Sequence, residues 1–383
     1  MRRTTLSILY IIGSVFALCS ALPSYISSSF LSNFVGEKLV GLVFAVCSLA
    51  TVLTFISIPK ILRRFGNYKT ATFVSIINLF SLLGLSFLNN IYEVLFCFVL
   101  TYATTTAIIL CLDIFIEHNS TDNETGKIRS FYLTGINFAW LISPWLSGMI
   151  IGGESYWKVY FISSLLMIPI ASLIFYNLKS FKDDEYKEFK VVSTIKEVLE
   201  NKDIKHIFAS SFLLNFFYAW MVIYAPIYLF KYIGFDWATI GLIFTIMLLP
   251  FVLIQIPLGK IADKYIGEKE MLTAGFLIMA FSVGFMPFIS GKDFWVWSIL
   301  LFTTRIGAAM VEVMTETYFF KKINDQNTNL ISAFRSMSSF AYIIAPLIAT
   351  VFFLFIPFGY IFLALSLFMF WGLRYSLAIK DTK

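Results

Sequence analysis

Hydrophobic positions in this chain fall in long unbroken runs, not in alternation, and short polar breaks separate them at near-regular intervals. Six runs lie in the first part: Leu6 to Phe30, Leu39 to Ile58, Thr70 to Leu88, Tyr92 to Ile116, Phe131 to Ile151 and Val159 to Leu178. Six more run Ile207 to Phe230, Ala238 to Leu258, Met271 to Ile289, Phe294 to Phe319, Leu330 to Leu354 and Phe358 to Leu377. Each is close to the roughly 20 residues a helix needs to cross a hydrocarbon core about 30 Å thick. A lone strand would leave its amides unpaired in lipid, and no barrel-like alternation is visible, so the runs predict twelve membrane-spanning α-helices.

The second six runs repeat the first at an offset of about 200 residues. Val40-Gly41-Leu42-Val43-Phe44 is answered by Ile240-Gly241-Leu242-Ile243-Phe244, and Phe138-Ala139-Trp140-Leu141-Ile142-Ser143-Pro144 by Phe340-Ala341-Tyr342-Ile343-Ile344-Ala345-Pro346. The acid pair Asp113 and Glu117 near the end of the fourth run recurs as Glu312 and Glu316 near the end of the tenth. Shared order and spacing predict a duplicated, all-α integral membrane protein of two six-helix pseudo-symmetric bundles, residues 1–178 and 207–383. Between them, 179–206 reads as a solvated linker. Thr194 and Glu197 form a capping box there, and Ile195, Val198 and Leu199 supply one apolar face for a short helix along the membrane surface.

Composition narrows the class. With 59% hydrophobic and 14% charged residues and a mean hydropathy of +0.82, too little polar surface remains to coat a water-exposed globule. The net charge of +6 is mostly topological. Of 29 Lys and Arg, Lys38, Lys158, Lys231 and Lys292 fall on one side, Arg305 lies inside a span, and the rest fall on the other side, which is therefore cytoplasmic and holds both termini. The start, Met1-Arg2-Arg3, is expected to belong to a retained first span. The basic balance suits anionic lipid heads and offers no nucleic-acid groove. Trp157, Trp237 and Trp295 are expected as aromatic anchors at the outer boundary, and the 43 Phe mainly as lipid-facing filler. No phosphate-cradling Gly-Lys loop supports ATP-driven pumping, no His or Cys spacing suggests a metal, and no nucleophile and base set suggests an enzyme. Spans 1 and 7 contain no acid.

Charges inside the spans carry the candidate chemistry. Arg305 lies twelve residues after Asp293, about 18 Å along a helix and so near mid-membrane. An Arg there costs at least about 2.5 kcal/mol in lipid and should face a protein interior or cavity, to bind an anionic or hydrogen-bonding group or to sense a neighbouring acid. A helix-to-helix clamp is the alternative. Glu312, two turns on and on the same face, is the second candidate, as a group that exchanges a proton with the cavity. Asn137, Asn215, Tyr218 and Gln255 offer hydrogen bonds either to a solute or between helices. Asp113, Glu117, Arg129, Glu316 and Arg335 fall at the cytoplasmic ends of their spans.

Between the eighth and ninth runs stands Gly259-Lys260-Ile261-Ala262-Asp263-Lys264-Tyr265-Ile266-Gly267-Glu268-Lys269. This resembles the loop signature of the major facilitator superfamily, with one extra residue before the second Gly. The first half keeps an eroded copy, with Pro59 at the first Gly position, Arg63 at the Asp position, and Gly66 and Lys69 beyond. Thr303-Thr304-Arg305-Ile306-Gly307 resembles the Arg-bearing motif of the superfamily's proton-coupled exporters, and Gly135, Ser143-Pro144 and Gly148 resemble an exporter-associated small-residue pattern. The resemblance implies a monomeric secondary transporter of the plasma membrane that works by alternating access. A small solute would sit between spans 1, 4, 7 and 10, the resemblance would make Asp113, Glu117, Arg129, Asp263, Lys264, Glu316 and Arg335 an inner-gate charge network, and it implies no cofactor, with protons as the candidate coupling ion. Proton-coupled efflux of an organic solute is the first expectation. Uptake or facilitated diffusion of a metabolite or sugar-like solute, lipid flipping, and a transporter-like receptor that moves nothing are the alternatives.

Overall fold

The protein's computed structural model describes residues 2–119, 125–179, 181, 183, 201–255, 257–258, 267–322 and 328–379. Among them every regular element is helical. In chain order the α-helices are α1 (Arg2–Ser24), α2 (Ser27–Val35), α3 (Val40–Phe65), α4 (Asn67–Phe87), α5 (Ile91–His118), α6 (Thr125–Ile151) and α7 (Trp157–Asn177). They continue with α8 (Lys202–Ile227), α9 (Trp237–Leu253), α10 (Glu268–Phe285), α11 (Phe294–Lys322), α12 (Thr328–Phe352) and α13 (Ile361–Ser376). Eleven helices are long and apolar enough to cross a membrane, and Trp237–Leu253 is a shorter apolar one. The chain is a multi-pass membrane protein. The surface helix expected over Thr194–Leu199 lies outside the described residues, as does the loop carrying Asp263 and Lys264.

Polar residues at the breaks set the helix starts. Asn90 accepts a hydrogen bond from the Tyr92 N–H (2.9 Å) before α5, and Asn201 accepts from Asp203 and Ile204 before α8. Asp236 accepts from Thr239 before α9 (2.9 Å), and Asp293 from Val296 before α11 (2.9 Å). Each satisfies amides that the first turn leaves without partners.

Two spans are interrupted. The first predicted run is one continuous apolar stretch but two helices, α1 and α2, broken at Tyr25 and Ile26 just after Pro23. Here the Ile26 N–H (3.1 Å) and the Ser27 hydroxyl (2.7 Å) both donate to the Pro23 carbonyl. Ser27 also meets the Tyr160 hydroxyl at 3.0 Å. At the far end of α8 the chain widens into a π-helix, Tyr228–Ile233, which stops at left-handed Gly234 (φ 82°, ψ 25°). Aromatic rings cover that turn, Tyr232 stacking on Phe358 at 4.9 Å and Tyr228 packing on Phe362 at 5.1 Å.

Packing divides the chain into two compact units, Met1–Glu37 with Val46–Glu188, and Lys38–Ala45 with Phe189–Lys383. In the first, α1 packs on α6 and α7, and α4 on α5 and α7; in the second, α8 packs on α12 and α13, and α10 on α11 and α13. These are the same pairs at the duplicated positions. The second span departs from the correspondence: α9 packs along α11, α3 lacks an equally extensive contact with α5, and the first turn of α3 sits in the second unit.

The duplication extends to backbone detail. Gly66 precedes α4 at φ 78°, ψ 161°, and Gly267 precedes α10 at φ 98°, ψ 161°, a region that only glycine adopts without strain. Beyond each glycine comes a buried polar residue. Asn67 donates to the Cys111 carbonyl on α5 (3.1 Å), and Glu268 accepts from Lys321 at the end of α11 (2.7 Å). In the first copy the Asn67 N–H also donates to Asp183 Oδ1 (2.6 Å). The same junction is thus held by hydrogen bonds from Asn67 in one half and by an ion pair in the other.

The aromatic expectations are met in part. Trp157 and Trp295 are exposed, but Trp237 is buried, 3% exposed, stacking on Phe230 at 5.1 Å. The indole is used for packing instead of anchoring. Phe73, Phe80 and Phe96 are exposed as expected, whereas Phe216, Phe217, Phe276 and Phe362 are buried.

Replacing Gly66 or Gly267 with Ala is expected to cost about 1–3 kcal/mol each, read as a lower melting point in detergent. Gly291, with nothing within 4 Å of an added Cβ, should tolerate Ala. Asp236→Ala should cost about 1 kcal/mol through the lost cap. The Thr239 N–H, backed by the Thr239 hydroxyl, holds the Asp236 carboxyl below its usual range. A depressed carboxyl stabilises fully above the unfolded value of about 3.9 and loses that contribution as pH falls through its folded value. The gap between wild type and Asp236→Ala should therefore be constant near neutrality and narrow in acid.

Candidate functional site

The second unit contains a cavity of about 240 Å³ between α8, α11 and α12. From α8 it takes Ser211, Leu214, Asn215 and Tyr218; from α11, Glu312, Thr315 and Glu316; from α12, Phe334, Arg335 and Ser338. Spacings of three and four residues place each set on one helix face. Most of its side chains are polar, within helices otherwise apolar. Asn215 donates to the Ser211 carbonyl (2.8 Å), and the Thr315 hydroxyl to the carbonyls of Val311 and Glu312 (2.8 and 3.0 Å). These groups are tied to their own helices and keep lone pairs for the cavity.

Arg305 lies two turns from Glu312 on α11 and is 2% exposed. It is not among the residues lining the cavity. Its guanidinium carbon sits 5.2 Å from the Phe217 ring centroid and 5.3 Å from that of Tyr218. Among the described residues neither Nε nor Nη1 has a hydrogen-bond partner. Two such ring contacts contribute about 1–4 kcal/mol together, while each unmet buried donor costs about 1–3 kcal/mol and more when charged. The rings therefore do not replace the missing acceptors.

Tyr218 joins the two features. Its ring faces Arg305, and its hydroxyl donates to Glu312 Oε2 at 2.7 Å. The position of α11 is set beside it by close backbone approach: a Cβ at Gly307 would lie 2.7 Å from the Gly275 carbonyl oxygen and 2.9 Å from the Met279 nitrogen. Gly307 thus brings α10 into backbone contact two residues beyond Arg305.

At one edge of the cavity Arg335 forks onto Glu316, with Nη1 to Oε1 at 2.8 Å and Nη2 to Oε2 at 3.3 Å. The pair is partly solvated, with side-chain exposures of 61% and 33%. The corresponding charges of the first unit are not closed in this way: Arg129 and Glu117 are exposed and act on half-buried Asp113 through space.

Of the residues singled out from sequence, Asn215, Tyr218, Glu312, Glu316 and Arg335 meet at one cavity, with Arg305 behind Tyr218. Asn137 is exposed on α6 of the first unit, and Gln255, beyond α9, is half-buried away from the cavity wall. Asp263 and Lys264 lie outside the described residues. Sequence reading passed over Ser211, Thr315, Ser338 and Phe334 on the walls and Phe217 against Arg305. Ser211, Asn215 and Tyr218 at spacings of four and three were the available signal for a polar stripe on α8. It also passed over the ion pairs Lys321–Glu268 (2.7 Å) and Lys322–Asp203 (3.2 Å) at the end of α11. Among the described residues no cluster of three or more His, Cys, Asp or Glu could hold a metal.

A double-mutant cycle on Glu316→Gln and Arg335→Gln should return a coupling of at most about 1 kcal/mol, declining with added salt, as a partly exposed pair requires. Thermal stability of the four proteins in detergent measures it.

A family model described as the Major Facilitator Superfamily matches residues 4–346. No curated protein matches the chain.

Proposed function

The chain belongs to the major facilitator superfamily, whose members move small solutes across membranes, and from that premise we propose that it is a secondary active transporter of a small organic solute. The carrying observation is the polar cavity of about 240 Å³ walled by Tyr218 and Glu312, with a buried guanidinium immediately behind the tyrosine. A cavity of that size lined by a few convergent polar groups suits a compact solute. Its location on α8 and α11, spans 7 and 10, fits a path along the inner faces of two six-helix bundles that rock in alternating access. The corresponding packing pairs in the two units support that duplicated arrangement.

Export coupled to protons is the first reading. Glu312 is a carboxylate on the cavity wall, hydrogen-bonded to one residue that also touches Arg305, so a change in its protonation would be felt at both. The Glu316–Arg335 pair at the cavity edge would serve as an inner-gate pair of the second unit. A partly exposed pair of this strength can hold a state and still break in each cycle. Uncoupled uptake of a metabolite is the second reading, favoured by the lack of any acid in spans 1 and 7. In either case the protein works as a monomer in the plasma membrane with both termini cytoplasmic, and lipid and solute are its partners.

Purified protein in liposomes containing a pH-sensitive dye tests this, with a broad panel of organic acids, amines and sugars presented across a pH gradient. A solute-dependent proton flux is expected, reduced at least about tenfold by Arg305→Ala or Glu312→Gln, as loss of one charge-assisted contact implies. Solute movement that ignores the gradient would support the uncoupled reading. No movement of any solute in a folded protein would support a receptor or lipid-handling role.

A further inference from the structure

Among the described residues, the buried polar side chains without a hydrogen-bond partner include serines such as Ser28 and Ser29 at the start of α2, the indole N–H of Trp220 in α8, and the guanidinium of Arg305. The serines lie on adjacent positions of one helix and point about 100° apart, so they do not converge on one ligand. Trp220 is packed by Phe216, Tyr224 and Phe368, which leaves no space beside it. Arg305 differs in kind, because its unmet groups carry a full positive charge.

Which charge on the solute this site demands can be decided by comparing the two ionic groups. Glu312 lines a cavity that admits water and already accepts the Tyr218 hydroxyl at 2.7 Å. Its need for a cationic partner is small. Glu316 is neutralised by the two-pronged contact with Arg335. Arg305 is 2% exposed; among the described residues its Nε and Nη1 have no hydrogen-bond partner, the Phe217 and Tyr218 rings lie over its guanidinium, and the Glu312 charge reaches it only through space. A guanidinium presents its donors in a planar fork that matches a carboxylate or phosphate, and ring faces alone cannot satisfy it. The largest unmet electrostatic demand in the cavity region is therefore for an anion.

Tyr218 controls access to it. The residue lines the cavity and packs its ring against the guanidinium, and one hydrogen bond to Glu312 holds the hydroxyl. A change of its side-chain rotamer would join Arg305 to the cavity at the cost of that bond and of the ring's contacts with Arg305, Phe217 and Phe251. Accordingly we propose that the solute carries an anionic group, of carboxylate-like geometry, that takes the open donors of Arg305 once Tyr218 swings aside, and that the Tyr218–Glu312 hydrogen bond is the catch of this lid. The proposal rests on the reading of the cavity as part of the solute path. Glu312 selects when Arg305 is uncovered, and Arg305 selects what is bound.

The test uses the purified full-length protein and six probes matched in size: propionate and benzoate, their amides, and propylamine and benzylamine. Binding is read from the melting point against probe concentration, since a ligand of the native state raises it. Expected are stabilisation by a carboxylate and not by its amide or amine, weakening by roughly tenfold in Arg305→Lys, which keeps the charge and loses the fork, and tighter carboxylate binding in Tyr218→Phe, which lacks the catch. Should Arg305→Lys fail to fold, the gain in Tyr218→Phe must still appear, and only for carboxylates. Stabilisation by an amine or an amide in place of the acid overturns the anion assignment and leaves the solute path standing. Carboxylate binding unchanged in both variants removes Arg305 and its lid from the site. Absence of binding by all six probes overturns the cavity as a solute path and the anion site with it.

Discussion

A backbone amide that enters hydrocarbon must bring its own partner, because no water waits there to replace one, and every element of this protein follows from that requirement. It turns apolar runs into helices and places Asn90, Asn201, Asp236 and Asp293 at the breaks, where first-turn amides would otherwise be orphaned. It also decides where the backbone can depart from the helix. The break at Tyr25 and Ile26 is covered by Ser27 and Tyr160, and the π-turn after α8 by Phe358 and Phe362. Irregular backbone in a span survives where protein, not lipid, surrounds it.

The two units share a packing scheme, and the candidate site lies where their side chains differ. Equivalent helix pairs pack in both units, and Gly66 and Gly267 adopt the same glycine-only backbone ahead of equivalent helices. Apart from the packing of the second span, the halves differ in polar content. Between α4 and α5 the contact is made by Asn78 donating to Thr104 and Thr105 (2.9 and 3.2 Å), a neutral interhelical clasp. Between α10 and α11 the backbones themselves touch at Gly275 and Gly307. Contact through glycine needs no polar side chain to hold α10 and α11 together, and Arg305, two residues away, instead meets the Phe217 and Tyr218 rings of α8.

The resulting site has a gradient of ionic satisfaction. Arg335 and Glu316 at the edge are paired and partly solvated, Glu312 on the wall is hydrogen-bonded, and Arg305 behind it is buried and short of acceptors. Depth and unmet demand rise together. Tyr218 is the hinge of this order, since one residue contacts both the wall carboxylate and the buried cation.

Sequence alone determined the helical class and the family, and its apolar runs mark the eleven helices long and apolar enough to cross a membrane. It also singled out Arg305, Glu312, Tyr218 and Asn215, because a charge or strong hydrogen-bonding group is costly in lipid and must be turned inward. It could not determine which apolar faces turn inward. Lipid and protein interior are equally apolar, so a Phe at the surface, such as Phe73, and one in the core, such as Phe217, carry the same pattern. For that reason Trp237 read as an anchor, Ser211 and Ser338 were passed over, and Asn137 and Gln255 could not be separated from Asn215. Only the tertiary structure decided these, because helix rotation is set by contacts between partners such as Gly275 and Gly307, and those contacts leave no periodic trace along the chain.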